Sequence, residues 1–192
     1  MALSVAGCSL AGSGNDADEK EKKVNMQEAA DRAEAILDGT LKSIDPPVVA
    51  SRGPSSDSSC TDFKNDGTGT GKVTRRLYLM TIISAERRGN FLGVVERYWK
   101  RQGYVITAVR NSGDMPAVFA DHDGFKITLE IGYKGQAQFR VSSPCVTESE
   151  VTEAPRETID PDDPASKGLP YVRSDFWSSI APVSSALSTG GS

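Results

Sequence analysis

The chain has 192 residues, of which 38% are hydrophobic and 25% are charged, and its formal net charge is -4. This composition suits one globular domain with extensions, and the charge excludes a general attraction to nucleic acid or to an anionic membrane. No run of about 18 apolar residues occurs, so the sequence predicts no membrane-spanning helix.

A cysteine follows aliphatic and small residues near the N-terminus, in the stretch Val5-Ala6-Gly7-Cys8. Residues 9–23, SLAGSGNDADEKEKK, are small, polar or charged, so they predict a flexible tether. Residues 1–7 supply neither a basic segment nor an apolar stretch of about 7 to 15 residues. We therefore interpret Met1 as an internal start or as the boundary of an expressed fragment, and residues 1–23 as a residual signal followed by the tether.

The stretch ending at Cys8 resembles the lipobox of bacterial lipoproteins. The resemblance implies that the Cys8 thiol receives a diacylglycerol, that everything before it is removed, and that the acylated cysteine becomes the N-terminus. The alternative is an unmodified cysteine in a polar terminus.

The first folded element predicted is a helix over residues 25–44. Asn25 followed by Glu28 is a helix start signal, and Asp45-Pro46-Pro47 is a stop signal. Eight apolar residues share one face of this helix: Met26, Ala29, Ala30, Ala33, Ile36, Leu37, Leu41 and Ile44.

A short extended piece at 48–51 and a polar loop lead to Cys60, and residues 64–71, KNDGTGTG, predict a turn-rich connection. This connection is not a phosphate-binding loop, because Asp66 and Val73 stand where that motif needs a glycine and a hydroxyl.

The densest part of the sequence begins at Lys72. Residues 72–83 predict a strand, and residues 84–103 predict a helix that Ser84 caps and Gly103 ends. Strands are predicted over 104–110, 117–120, 125–131 and 137–141, with a turn at Asp123-Gly124. This order predicts an α+β two-layer sandwich over residues 24–146, in which an antiparallel sheet of four to five strands carries two main helices on one face.

Residues 147–192 change character. The sequence predicts an acidic, proline-containing linker, an aromatic segment over 169–183 that packs on the domain, and a disordered tail.

The other two cysteines, Cys60 and Cys145, lie in polar stretches at the edges of predicted strands. No Cys-x-x-Cys occurs and His122 is the only histidine, which excludes a compact zinc site. In an exported protein the two thiols would oxidise to a disulfide that closes a loop of about 85 residues. The alternatives are two buried free thiols in a cytosolic protein, or a reactive cysteine, for which no second histidine is available as a base.

Nine basic residues and two acidic ones lie between Lys72 and Arg110. If they share a surface, they would attract phospholipid head groups or an anionic wall polymer. The candidates for this surface are Arg87, Arg88, Arg97, Lys100 and Arg101. The alternative is a solvated helix face that the acidic linker partly neutralises.

His122 lies between two aspartates in a predicted turn. This neighbourhood suggests a metal-binding or acid–base role, but turns collect such residues for backbone reasons. We therefore assign no catalytic residue, no metal ligand and no cofactor.

From residue 5 to about 146, the order of lipobox-like start, polar tether, helix and sheet ending at SSPC resembles small lipoproteins of high-GC Gram-positive bacteria, which mostly lack an assigned activity. The resemblance implies a location, the extracellular face of the cell membrane, rather than a chemistry. We expect a monomeric, non-enzymatic binding or accessory protein of the cell envelope, anchored through lipid on Cys8, with an anionic envelope component or a protein as partner and no affinity for nucleic acid.

Two other functions remain open at this point. One is a carrier that holds a lipid or small apolar ligand between sheet and helices. The other is a hydrolase, which would need Asp121, His122 or Asp123 to converge with a hydroxyl in a cleft.

Overall fold

The computed structural model describes residues 24–111, 113–154 and 170–181. The predicted residual signal and tether, the predicted tail from residue 184 and most of the acidic linker lie outside these residues.

Two helices and eight strands form within the described ranges. In chain order they are α1 (Met26–Lys42), β1 (Ala50–Arg52), β2 (Ser56–Thr61), β3 (Gly67–Leu79), α2 (Arg88–Arg101), β4 (Val105–Arg110), β5 (Ala117–His122), β6 (Phe125–Ile131), β7 (Ala137–Ser142) and β8 (Val146–Thr147). The predicted α+β class, with two helices and an antiparallel sheet, is confirmed.

The start of α1 follows the predicted capping pattern. The Asn25 side chain accepts a hydrogen bond from the Glu28 backbone N–H at 2.9 Å, and the Glu28 carboxylate accepts one from the Asn25 N–H at 3.1 Å. This reciprocal pair satisfies two N–H groups that a helix start otherwise leaves unpaired. The helix is therefore fixed at its N-terminus by residues that are local in sequence.

The sheet has eight strands, so the predicted four to five were too few. Its order is β1-β3-β7-β6-β5-β4, with β2 and β8 also paired to β3, and the pairs are antiparallel. The strand β2, SDSSCT, shows no apolar alternation, because all its residues except Cys60 are exposed. The connection predicted over 64–71 is also shorter than expected, since β3 already begins at Gly67.

One layer of apolar side chains joins the sheet to both helices. Alternate residues of β3, β6 and β7 are buried, and their neighbours face the other side of the sheet. The largest fully buried side chains are Trp99, Trp177, Phe91, Phe139, Leu37, Leu79, Ile83, Ile127, Leu129, Ile131, Val73 and Val95. The helices thus cover one face of the sheet and leave the opposite face, here called the open face, without a helix among the described residues.

A buried charge cluster holds α1 to the sheet. Arg75 of β3 is 3% exposed, its Nε lies 3.4 Å from a Glu34 oxygen, and its Nη2 donates to the Thr152 carbonyl at 2.6 Å. Arg52 contacts both Glu34, at 3.0 Å, and Asp38. Burial raises the pKa of Glu34, and the charges of Arg52 and Arg75 offset part of that increase.

The second helix begins later than predicted. Ser84 does not cap α2, because its hydroxyl donates to the Ser179 carbonyl at 2.6 Å. A 3₁₀ turn over Ala85–Arg87 follows, and α2 starts at Arg88. A contact with the C-terminal segment therefore outweighs the local capping signal.

The C-terminal aromatic segment closes one end of the core. Trp177 is fully buried, packs edge-to-face on Phe91 at 5.0 Å, and donates its indole N–H to the Pro46 carbonyl at 2.6 Å. The backbone of Val172 accepts a hydrogen bond from the Ile82 N–H at 2.9 Å. This segment therefore contributes both apolar area and backbone pairing to the domain.

Candidate functional site

The predicted disulfide is present. Cys60 and Cys145 are joined with a Cα–Cα distance of 6.3 Å. Gly71 of β3 pairs with Ser59 of β2 on one side and with Val146 of β8 on the other. The disulfide therefore ties together the two short strands that flank β3. Cys8, the predicted lipid-modified residue, lies outside the described residues.

Two of the five residues predicted to form an anionic-partner surface are not on the surface. Arg87 is 6% exposed, and its Nε donates to the Phe176 carbonyl at 3.0 Å. Arg88 is 8% exposed and donates to the carbonyls of Gly113, at 3.1 Å, and Tyr133, at 2.5 Å. Both guanidinium groups fix loops from distant parts of the chain, and this is why that part of the prediction was wrong.

The other three residues, Arg97, Lys100 and Arg101, are exposed on the C-terminal half of α2. Lys100 pairs with Glu96 one turn earlier, at 2.6 Å. Positive side chains near the C-terminal end of a helix also interact favourably with the helix dipole, so these residues stabilise α2 without an external binding partner. They remain candidates for an anionic surface, with the charge of Lys100 partly offset.

The open face of the sheet carries a second group of basic residues. Lys72 and Arg76 of β3 alternate with buried residues and therefore point away from the helices. Arg140 of β7 lies directly opposite Arg76 in the strand register. We call Lys72, Arg76 and Arg140 the basic sheet face.

Hydroxyl groups surround the two arginines. Thr128 of β6 lies opposite Arg140 on its other side, and Thr74 and Ser142 form a hydroxyl pair at 2.9 Å on the adjacent rung. Arg76 donates to the Pro54 carbonyl at 3.0 Å, which holds its guanidinium near the sheet edge. Hydrogen-bond donors with fixed positions thus lie on either side of the arginine pair.

The carboxylates of this face are engaged elsewhere. Asp121 is paired with Lys126 at 2.5 Å, and Glu130 is paired with Arg110 at 2.8 Å. Within the described part of the chain, the Arg140 side chain has no ion-pair or hydrogen-bond partner. The basic sheet face therefore keeps a local positive charge on a protein with a net charge of -4.

His122 is the last residue of β5, not part of a turn as predicted. Its ring stacks on Tyr104 at 4.1 Å, and burial raises the pKa of that tyrosine, with smaller effects from Tyr98 and Asp123. Asp121 precedes His122 in the strand, so the two side chains point to opposite faces of the sheet. The geometry therefore does not pair His122 with Asp121, whereas the His122 Nε2 lies 3.7 Å from a carboxylate oxygen of Asp123.

A surface cavity of about 270 Å³ lies beside His122, between α1 and the start of β6. Its lining residues are Arg32, Ala35, Ile36, His122, Asp123 and Phe125. The space deeper between sheet and helices is filled by the buried side chains of the core. This volume is near the lower end of the range of about 300–1,000 Å³ typical of ligand pockets, so the cavity is small for a lipid carrier.

The described residues contain neither a membrane-spanning helix nor a metal-binding cluster. Neither helix in these ranges has the length and apolar character needed to cross a membrane. The same residues contain no group of three or more His, Cys, Asp or Glu side chains placed to hold a metal ion.

Arg140 was not among the residues predicted to form an anionic-partner surface, and Arg76 was counted only as one of the basic residues between Lys72 and Arg110. The alternation of 137–141 does place Arg140 on the polar side of its strand, but only the register between β3 and β7 brings it opposite Arg76. That register depends on residues more than sixty positions apart.

Comparison with known proteins does not identify a family for this chain. No protein-family model and no curated protein matches the chain. Among solved structures, a crystal structure of LppA from Mycobacterium tuberculosis, a candidate lipoprotein, is similar with 12% sequence identity and a TM-score of 0.36, covering 62% of this chain and 74% of that one. A similarity at this level carries no conclusion about fold or function, so the proposals below rest on the chain's own residues.

Proposed function

We propose that the protein is a lipid-anchored, non-catalytic binding or accessory module on the extracellular face of the cell membrane. The anchor is a diacylglycerol on Cys8, and residues 9–23 connect it to the domain. The partner is an anionic component of the envelope or a protein, with no role for nucleic acid. The module acts as a monomer.

The Cys60–Cys145 disulfide is the observation that carries this proposal. Disulfides form and persist in oxidising compartments and are rare in the cytosol of most organisms. Because Cys60 and Cys145 are 85 positions apart, the bond requires that the whole chain segment between them is in such a compartment. Export therefore has support that is independent of the motif at Cys8.

The lipobox-like motif at Cys8 supplies the attachment of the domain to the membrane. The lipobox-like residues 5–8 precede a polar segment, and the described domain begins immediately after that segment, at Val24. A chain of about 15 polar residues has a root-mean-square length of about 20 Å. The domain would thus stay within about two Debye lengths of the membrane surface, at about 8–10 Å each.

Two observations support a binding role rather than catalysis or transport. Asp121 and His122 point to opposite faces of the sheet, and the interior between sheet and helices is filled. His122 does lie 3.7 Å from Asp123, but none of the described residues that line the cavity beside them carries a hydroxyl, so the hydrolase and carrier alternatives have less support than binding.

The test is fractionation of the native host. The unsubstituted protein is expected in the membrane fraction, and C8A is expected in the soluble or extracellular fraction. The control S13A changes the tether without touching the acceptor cysteine, and it should fractionate like the unsubstituted chain. Membrane association of C8A equal to that of S13A would disprove the anchor.

A further inference from the structure

We propose that the basic sheet face binds the head groups of anionic phospholipids and holds the open face of the sheet against the membrane. This inference rests on the proposed function, because the anchor on Cys8 is what keeps the domain beside a lipid surface.

The charges of the basic sheet face favour an anionic partner. Arg76 and Arg140 are directly opposite each other on neighbouring strands, and like charges in such positions are destabilising. The nearby carboxylates, Asp121 and Glu130, are paired with other cations. An anionic surface that lies across both arginines would relieve this repulsion.

The donor chemistry fits a phosphate group. Guanidinium groups present planar sets of N–H donors that match phosphate oxygens in a two-point geometry. Arg76 is anchored through the Pro54 carbonyl, so part of its ordering cost is already met in the free protein. The Thr128 and Ser142 hydroxyls, beside Arg140 and on the adjacent rung, supply further donors.

The shape and position of the face favour a lipid surface over a small soluble anion. The face lies on the side of the sheet that no helix of the described residues covers, and Lys72 extends its charge along β3. The domain's N-terminal end lies at the same end of the sheet, because Asn25 bridges to Thr147 of β8 next to Gly71. The tether would therefore emerge near Lys72, toward the membrane.

The charge of α1 does not compete with the basic sheet face. Glu34 and Asp38 are paired with Arg52, and Glu34 also with Arg75. The other charged residues of α1 are two acidic and two basic ones: Glu28, Asp31, Arg32 and Lys42. This helix lies in the layer opposite the open face, so an anionic bilayer attracts the sheet rather than α1.

Because the tether keeps the domain beside the membrane, even a weak contact between the basic sheet face and lipid is sufficient to orient the domain. Linking a module to a surface turns the second contact into an intramolecular event with a raised effective concentration. Each Lys or Arg near an anionic membrane contributes about 1 kcal/mol. Three such residues are therefore enough to orient an already anchored domain.

The experiment measures binding of the 192-residue chain, unacylated and with its disulfide formed, to phosphatidylcholine vesicles with and without phosphatidylglycerol. We expect binding that requires phosphatidylglycerol and falls with added salt. The variant R76Q/R140Q should bind about 30-fold more weakly, the product of two contributions of about fivefold each. The control R32Q/K42Q removes the same charge from α1 and should bind like the unsubstituted chain.

Three results would overturn the inference. One is equal binding of R76Q/R140Q and R32Q/K42Q. A second is a loss of binding confined to R97Q/R101Q, which would place the contact on α2. The third is saturable binding of glycerol phosphate in solution without any binding to vesicles, which would make the ligand a soluble phosphate.

Because the chain in this assay carries no lipid, the result does not depend on acylation of Cys8. Vesicle binding together with an unmodified Cys8 in the host would contradict the proposed anchor and leave the basic sheet face standing. An unchanged thermal unfolding midpoint in each variant shows that loss of binding is not loss of folding.

Discussion

Removing the disulfide should lower the stability of the domain by an amount that its position in the chain predicts. Cys60 and Cys145 are separated by 85 residues. In the chain-entropy treatment, closing a loop of that length removes about 15 cal/mol/K of entropy from the unfolded chain, or about 4–5 kcal/mol at 25 °C. For about 140 ordered residues, with an unfolding entropy of about 2.1 cal/mol/K per residue, this equals a fall of about 15 °C in Tm.

The assay is differential scanning calorimetry of the unsubstituted chain and of C60S/C145S, both with and without a reductant. The double variant avoids leaving one free thiol, and reductant should lower the Tm of the unsubstituted chain only. The bond also fixes β8, which pairs with β3 at only two positions, to β2, which pairs with β3 at five. A Tm for C60S/C145S within about 3 °C of the unsubstituted value, corresponding to under about 1 kcal/mol, would refute this reasoning.

Three further predictions concern packing, backbone conformation and pH. Trp177 is fully buried, so W177A should cost about 3–5 kcal/mol in chemical denaturation, and a cost below about 1 kcal/mol would show that the C-terminal segment does not close the core. Gly135 has φ +82°, and an added Cβ would lie 2.5 Å from the Ile83 carbonyl oxygen, so G135A should destabilise the domain by more than about 1 kcal/mol. Gly89 of α2 has open space around it, so G89A should stabilise the domain by up to about 1 kcal/mol. Equal shifts in Tm for the two variants would contradict this assignment. Because burial raises the pKa of Glu34 above 4.5, the folded state binds a proton more tightly than the unfolded state, and stability contributed by the protonated form is lost as pH rises through the raised pKa. The free energy of unfolding of the unsubstituted chain minus that of E34Q should therefore fall as pH rises above 4.5, and a difference that rises with pH would be inconsistent with a raised pKa.

Elements whose signals are local were predictable from the sequence. The start of α1 depends on Asn25 and Glu28, which are three residues apart, and the structure shows the expected capping box. The hairpin of β6 and β7 depends on strict alternation, which also survives in the burial pattern. In both cases the residues that determine the element lie within it.

Elements that depend on distant partners were missed or misplaced. β2 forms because its backbone pairs with β3, and its polar side chains give no sign of this. Ser84 has a capping residue's chemistry, but Ser179 accepts its hydroxyl hydrogen bond from 95 positions away. These features depend on contacts that a local reading cannot supply.

The candidate site shows the same division. The disulfide was predictable, because two cysteines in an exported chain have few alternatives. The burial of Arg87 and Arg88 was not, since the carbonyls that accept their hydrogen bonds belong to Phe176, Gly113 and Tyr133. An excess of basic residues in one segment therefore does not locate a basic surface until the fold separates structural arginines from exposed ones.

The central claim is that the domain works outside the cytoplasm, attached to the membrane by its N-terminal cysteine. Intact-mass spectrometry of the protein purified from its native host tests this claim most directly. We predict a mature chain that begins at Cys8, carries a diacylglycerol, and is lighter than the reduced form by the mass of two hydrogen atoms because of the Cys60–Cys145 bond. A chain that retains the residues before an unmodified Cys8 would contradict the account.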